Sequence, residues 1–217
     1  MKYFVFFQFW FLLLFKVANS QTNYTDIKEF EVIPVFSEEF NNNTNKWNLS
    51  DLYPVYSKIE NSRLIIRTED FPNILLHNIR FNPDKDFQIE FSMKQLQGDS
   101  TQLASFVYGF SNENGNGYGF ITAERNVVLS VIKRKTPEIQ QKTFVEKSYN
   151  EIFNKFTVRK IKNKLYFYIN EVLVFTESSS DFDTSMMGWY IPANVVFAFD
   201  YFNVVYLKPV KKTKSKD

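Results

Sequence analysis

The sequence contains no cysteine, and this absence excludes several kinds of site at once. Without a thiol the chain can form neither a disulfide nor a thiolate-bound zinc or iron–sulfur centre, and it has no cysteine nucleophile. Histidine occurs only once, at His77, which excludes catalysis or metal binding that needs two imidazoles. The chain has only 6 glycines, and none has the spacing of a phosphate-binding loop. Redox, zinc-dependent and nucleotide-binding functions are therefore not expected.

Apolar and aromatic residues, by contrast, are abundant. The 217 residues include 25 Phe and 12 Tyr, and 44% of the chain is hydrophobic, which is too apolar for a disordered protein. A chain of this length can bury a sizeable core in a single domain. We therefore expect one folded domain.

The amino terminus has the pattern of a secretory signal peptide. A lysine at position 2 precedes an apolar run over residues 3–15, and the small residues Ala18 and Ser20 form a cleavage site. The run ends at Lys16, short of the ~20 residues that span a bilayer, so a membrane anchor is the less favoured alternative. We predict that residues 1–20 are removed and that the mature protein is secreted without a membrane span.

The predicted mature chain is formally neutral. Once Lys2 and Lys16 are removed, 24 basic and 24 acidic residues remain, and five of the lysines lie in residues 208–217. We predict a folded domain over residues 21–207, followed by a basic tail over residues 208–217. Because the domain itself carries no basic patch, nucleic acid is not an expected partner.

Hydrophobic residues recur with a period of two along most of the chain. In the clearest case Phe87, Ile89, Phe91 and Met93 alternate with Gln88, Glu90, Ser92 and Lys94, the pattern of a half-buried antiparallel strand. Similar patterns predict strands at residues 31–36, 63–68, 74–81, 103–110, 118–122, 127–133, 142–146, 155–161, 164–169, 172–176, 187–191 and 195–207. The last is long enough that we expect a bend or a bulge. About a dozen short strands with little helix indicate an all-β sandwich or barrel.

Three stretches of sequence, in this order along the chain, reduce the number of possible folds. They are VFSEEFNNNTNKW (35–47), FTVRKIKNKLYFYINEVLVFTES (156–178) and MGWYIPANVVFAFDYFNVVYL (187–207). Together they resemble the concanavalin A-like lectin/glucanase superfamily, which includes laminin-G-like modules and family 16 glycoside hydrolases. The resemblance implies an antiparallel two-sheet jelly-roll sandwich. One departure is Glu171, which stands where the resembling hairpin has Gly, so we expect a turn other than type I′ there.

The catalytic motif of the resembling glucanases is absent. Those enzymes use two carboxylates on one strand, spaced as E-x-D-x-x-E, and no such motif occurs in this chain. The closest paired acids are Asp181 with Asp183 and Glu38 with Glu39. We therefore predict no catalytic residue, and a glycoside hydrolase with atypical carboxylates remains an alternative.

The resemblance also implies a structural calcium ion. In the resembling hydrolases the ion joins the closing strand to the opening one, and Asp200 matches the closing carboxylate. Glu38 and Glu39 lie in the opening triplet and are the other candidate ligands, because calcium prefers oxygen donors. The alternative is that Asp200 faces solvent or bonds a neighbouring turn.

A sugar would be bound through exposed aromatic rings together with amide and carboxylate groups. The candidate ligand-binding residues are Trp47, Tyr108, Asn116, Tyr118, Trp189 and Tyr190. The alternative for each ring is packing in the core.

The lone histidine, His77, is interpreted as a polar or hydrogen-bonded residue rather than a base.

These patterns favour a secreted, non-catalytic carbohydrate-binding or adhesion module whose partner is a glycan or a cell-surface polysaccharide. A secreted hydrolase of the same fold and a structural, protein-binding sandwich are the alternatives.

Asn23, Asn42 and Asn48 each begin an N-glycosylation sequon, which matters only in a cell that has the modification pathway.

Overall fold

The computed structural model describes residues 27–99, 101–102, 104–109, 117–123, 126–133, 136–144, 152–179 and 186–210. The predicted signal peptide, Asn116, Asp181 and Asp183 lie outside these ranges. The one helical element described is a 3₁₀ turn at Ile27–Glu29, followed by the strands β1 (Phe30–Glu38), β2 (Val55–Ile59), β3 (Leu64–Thr68), β4 (Asn73–Asn78), β5 (Phe87–Gln97), β6 (Ala104–Tyr108), β7 (Gly117–Ala123), β8 (Asn126–Lys133), β9 (Thr136–Phe144), β10 (Asn154–Ile161), β11 (Lys164–Ile169), β12 (Val172–Ser178), β13 (Met186–Ile191) and β14 (Val195–Pro209). Within the described ranges no helix has the length and hydropathy of a membrane span.

The strands form two antiparallel sheets. The larger sheet has the order β12-β11-β10-β5-β14-β3-β2, and β1 also pairs with β14; the smaller has the order β4-β13-β6-β7-β8-β9. The closing strand β14 pairs along one side with β5, and along the other with β3 first and then β1. The predicted all-β, antiparallel two-sheet jelly-roll sandwich is confirmed.

The core between the sheets is dominated by aromatic rings. The Trp189 ring lies 4.1 Å from that of Phe199 and 5.9 Å from that of Phe91, measured between centroids. Phe91 also stacks on Phe156 of β10 at 5.2 Å and contacts Phe106 of the opposite sheet at 4.5 Å. These rings therefore join both sheets across the core.

The alternation predicted for β5 is confirmed for the inward set. Phe87, Ile89, Phe91 and Met93 are all buried in the core. The opposite set is less exposed than the pattern suggests, since Gln88 and Ser92 are only 8% and 6% exposed. The reason is that β5 has a neighbour on both sides, so side chains from β10 and β14 cover its outer face.

The expected irregularity in the last strand is a β-bulge at Asp200. Phe199 pairs with Met93 and Tyr201 with Ser92, so Asp200 has no partner on β5. The extra residue reverses the alternation, and Phe199 and Phe202 therefore both point into the core although they are three residues apart.

The turn between β11 and β12 differs from the prediction. Asn170 and Glu171 both have positive φ, at 48° and 68°, and Ile169 pairs directly with Val172, as in a type I′ hairpin. The expectation of another turn type was wrong, because contacts with β10 hold Glu171 in the left-handed region. Lys155 lies 2.6 Å from the Glu171 carboxylate, and the Asn170 side chain accepts the Lys155 N–H at 2.9 Å.

Candidate functional site

Most of the predicted ligand-binding rings lie in the core. Trp47, Tyr108 and Trp189 are 3%, 1% and 0% exposed, which favours the packing alternative for all three. Asn116 lies outside the described residues, and for Tyr118 only the backbone in β7 is described. Both stay predictions.

Tyr190 is placed differently. It points away from the core, is partly exposed, and pairs across the strands with Ile74, which is 46% exposed. Cross-strand partners project from the same face of a sheet, so these two side chains are neighbours on the outer face of the smaller sheet. Of the predicted aromatic residues with described side chains, Tyr190 is the one that a ligand could reach.

Glu38, a predicted calcium ligand, is buried and hydrogen-bonded. One carboxylate oxygen accepts the Phe40 N–H at 2.6 Å; the other accepts the Trp47 indole N–H at 2.9 Å and the Asn45 amide at 2.8 Å. Three N–H donors therefore occupy the oxygens that a metal ion would need. The carboxylate fastens the loop after β1, and with it the Trp47 ring, to the end of that strand.

His77 lies against the same ring. Its imidazole stacks on Trp47 with centroids 4.4 Å apart and planes 22° apart. Burial lowers the pKa of His77, although the negative charge of Glu38 partly opposes this effect. The half-buried imidazole thus packs on Trp47, a stacking contact that the interpretation from sequence, as a polar or hydrogen-bonded residue, did not anticipate.

The other two candidate metal ligands have different neighbours. Glu39 is exposed and accepts a hydrogen bond from Asn41, whereas Asp200 lies 3.4 Å from the Arg63 guanidinium. Among the described residues no group of three or more His, Asp or Glu side chains converges on a point where a metal ion could bind. Calcium binding by Asp200, with Glu39 or main-chain oxygens as further ligands, stays a prediction.

Calcium binding by Asp200 would be visible as a rise in melting temperature. Calcium at 100 times its dissociation constant would stabilise the fold by about 2.7 kcal/mol. Asp200→Asn should abolish the rise, because the amide keeps the shape but lacks the charge that calcium prefers. A melting temperature that is the same in calcium and in chelator would contradict the prediction.

Among the described residues two carboxylates come close together on the outer face of the larger sheet, and a lysine contacts both of them. The smaller sheet has a single acidic residue in its strands, Glu138. On the outer face of the larger sheet, Lys155 lies 2.9 Å from Glu90 and 2.6 Å from Glu171. The ammonium group contacts both carboxylates, in the place where a glycosidic oxygen would have to lie between an acid and a nucleophile.

Glu90, Lys155 and Glu171 form an ion-pair network that also includes Tyr201. The Tyr201 hydroxyl donates to Glu90 at 3.0 Å, and burial together with the charge of Glu90 raises the pKa of Tyr201. Burial alone would lower the pKa of Lys155, but its contacts with Glu171 and Glu90 outweigh that effect and raise it. Because these groups satisfy one another, their arrangement supports the sheet and does not present unpaired groups to a substrate.

The largest exposed apolar side chains lie elsewhere, at one end of the sandwich. Leu52, Phe71 and Tyr53 are 71%, 60% and 56% exposed, the highest values among the large hydrophobic residues described. They belong to the β1–β2 and β3–β4 connections, which meet where Val55 pairs with Thr68.

Specific contacts hold these connections together. The Tyr53 hydroxyl donates to Asp70 at 2.6 Å, and the Glu69 N–H donates to the Pro54 carbonyl at 2.9 Å. The Asn194 side chain, from the β13–β14 connection, accepts the Asp70 N–H at 3.2 Å. The hydrogen bond to Asp70 is the main cause that raises the pKa of Tyr53.

We call Leu52, Tyr53, Asp70, Phe71 and Asn194 the loop-end surface. It combines two exposed aromatic rings with a carboxylate and an amide, the groups that bind the apolar face and the hydroxyls of a sugar ring. Ile74, the cross-strand partner of Tyr190, follows Phe71 by three residues in the chain. Tyr53 and Phe71 did not stand out in the sequence, since a chain so rich in aromatic residues gives no sign of which rings remain outside the core.

No protein-family model matches the chain, and no curated protein matches it by sequence. Solved structures do match. A galectin-like protein of unknown function from Bacillus subtilis has a TM-score of 0.62 at 9% identity, over 83% of this chain and 100% of that one. The catalytic domain of an endo-1,3-beta-glucanase (laminarinase) from Thermotoga petrophila RKU-1 has a TM-score of 0.60 at 12% identity, over 82% and 99%.

A Bacillus licheniformis beta-glucanase has a TM-score of 0.56 at 13% identity, over 81% of this chain and 98% of that one. At sequence identities this low, the similarity between these structures and this chain shows a shared fold and nothing more. The chain has the concanavalin A-like lectin/glucanase jelly-roll fold.

Proposed function

We propose that the protein is a secreted, non-catalytic carbohydrate-binding module and that the loop-end surface binds its glycan. The observation that carries this proposal is that the most exposed large apolar side chains described, Leu52, Tyr53 and Phe71, belong to two connections that hydrogen bonds of Asp70 with Tyr53 and Asn194 join. Exposed apolar clusters of this kind in soluble proteins mark interaction sites. Two solved structures with this fold are beta-glucanases, which supports a carbohydrate as the ligand.

We propose that the loop-end surface has no catalytic role. Asp70 is the one carboxylate of the loop-end surface, and its oxygen already accepts the Tyr53 hydroxyl. A retaining or inverting glycosidase needs two carboxyl groups facing one bond. We therefore propose that the loop-end surface binds and orients a sugar and does not cleave it.

The test is binding of the secreted protein to a glycan array, followed by calorimetric titration with the best ligand. Tyr53→Ala and Phe71→Ala should each weaken binding about tenfold, because each removes a ring that packs on the sugar. Tyr53→Phe keeps the ring and should weaken binding less than Tyr53→Ala does. The matched control is Val32→Ala, since Val32 is 46% exposed but pairs with Leu207 at the far end of β14.

Two results would count against the proposal. Absence of binding to any glycan on the array would remove the carbohydrate function. Undiminished binding by the double variant Tyr53→Ala/Phe71→Ala would remove the loop-end surface as its site.

A further inference from the structure

The connection between β1 and β2 contains five asparagines, and their side chains fall into two groups. Asn41, Asn43 and Asn45 use the amide Nδ2 as a donor within the protein. Asn41 donates to Glu39 at 3.2 Å and Asn43 to the Trp47 carbonyl at 3.0 Å. Asn45 donates to the Glu38 carboxylate at 2.8 Å and to a main-chain carbonyl of β1 at 3.1 Å.

The remaining two, Asn42 and Asn48, have exposed side chains whose Nδ2 has no acceptor among the described residues. In Asn42 the side-chain oxygen accepts the Thr44 N–H at 2.9 Å and also the Thr44 hydroxyl, which leaves Nδ2 directed away from these bonds. For Asn48 the hydrogen bond described is to its main-chain carbonyl, which accepts the Ser57 hydroxyl at 3.3 Å.

The same two asparagines are the ones in this connection that begin a sequon, Asn42-Asn43-Thr44 and Asn48-Leu49-Ser50. The sequence motif and the freedom of Nδ2 are independent observations, and they select the same positions out of five. We propose that Asn42 and Asn48 carry N-linked glycans in the mature protein.

The reaction joins Nδ2 to the anomeric carbon of an oligosaccharide supplied as a polyprenyl-diphosphate conjugate. The bond from that carbon to the diphosphate oxygen breaks, the polyprenyl diphosphate leaves with the electron pair, and one amide proton passes to a base. The modified nitrogen keeps one N–H. This proposal rests on entry into a secretory pathway through residues 1–20 and not on glycan binding by the loop-end surface.

The folded structure accommodates a glycan at these two positions and opposes one at their neighbours. Asn42 and Asn48 lie on either side of Trp47, which is 3% exposed, yet both project into solvent. A glycan is bulky and hydrophilic and belongs on such a surface. Attachment at Asn43 or Asn45, by contrast, would disrupt the hydrogen bonds that hold Trp47 and Glu38 in place.

The test is peptide mass spectrometry of the mature protein isolated from its natural source, before and after digestion with a peptide N-glycosidase. We expect glycan mass on Asn42 and Asn48, converted to Asp by the digestion, and none on Asn41, Asn43 or Asn45. An unmodified Asn42 or Asn48 would overturn the proposal for that position.

Variants expressed in the same cells separate the sequon from the fold. Thr44→Ala should lose the glycan on Asn42 but keep the one on Asn48, and Ser50→Ala should do the reverse. Each remaining glycan shows that the variant still passes through the secretory pathway. The matched control Thr44→Ser keeps the hydroxyl and should keep both glycans, and retention of the Asn42 glycan in Thr44→Ala would contradict the assignment.

Discussion

Phe91→Ala is expected to destabilise the protein by about 3–5 kcal/mol, the range for truncating a fully buried phenylalanine. Phe91 is 0% exposed, and its ring contacts Phe156 within its own sheet and Phe106 and Trp189 of the other. Its removal leaves a cavity lined by rings that cannot all move inward. Urea unfolding followed by tryptophan fluorescence measures the loss, because Trp189 is among these neighbours.

The control for this prediction is the next residue on the same strand. Ser92 points to the opposite face of β5, so Ser92→Ala removes one hydroxyl without opening a cavity in the core. Because Ser92 is itself buried under side chains of the outer face, its cost should be about 1 kcal/mol, well below that of Phe91→Ala. Equal destabilisation by the two variants would mean that the register of β5 is not the one described.

Glu38→Ala is expected to cost about 3 kcal/mol. The substitution removes a buried carboxylate that accepts three N–H groups and leaves the Phe40 amide and the Trp47 indole without an acceptor. Hydrogen bonds to charged groups contribute about 1.5–3 kcal/mol each. Removing the carboxylate also removes the free-energy cost of burying its charge, so the net loss is smaller than the sum of the three bonds. Glu38→Gln keeps the size and one acceptor oxygen, so its effect should be intermediate.

The neighbouring carboxylate provides the comparison. Glu39 is exposed, so Glu39→Ala should change the free energy of unfolding by at most about 0.5 kcal/mol. Chemical denaturation of the three variants in parallel gives the ranking. If Glu38→Ala were as mild as Glu39→Ala, the carboxylate would not be what fastens the Trp47 loop.

Local sequence patterns were sufficient to predict those structural features that depend only on residues close together in the chain. The alternation over β5 correctly predicted that Phe87, Ile89, Phe91 and Met93 face the core, because side chains of any strand alternate between its two faces. The length of the last predicted strand correctly indicated an irregularity. Its position at Asp200 could not be read, since a bulge is defined by pairing with β5, which lies about 100 residues earlier in the chain.

The turn at Glu171 shows how tertiary contacts override a local preference. A non-glycine residue disfavours positive φ, and that rule predicted another turn type. The rule failed because β10 contributes partners to both turn residues: Asn170 donates to Asn154 at 2.9 Å, and Glu171 pairs with Lys155. These partners are some 16 residues away, beyond the range of any local pattern.

The candidate site was the least predictable part. Trp189 and Tyr108 were reasonable candidates as large aromatic residues, yet both lie in the core, whereas Tyr53 and Phe71 are outside it. Ring type does not distinguish these cases. The loop-end surface exists because Asp70 contacts Tyr53 and Asn194, residues 17 and 124 positions away.

The sequence by itself determined the fold class, the inward face of β5, the lack of thiol chemistry and the sequon positions, because composition, period and motif are properties of adjacent residues. Tertiary structure alone decided which rings are buried, which asparagines keep a free Nδ2, and which carboxylates are occupied by N–H donors. Most of those outcomes depend on the packing of two sheets whose strands pair across long stretches of chain. The exposure of Phe71 follows from that packing, whereas the three donors to Glu38 come from residues only 2, 7 and 9 positions away and converge on it because the loop folds back on the end of β1.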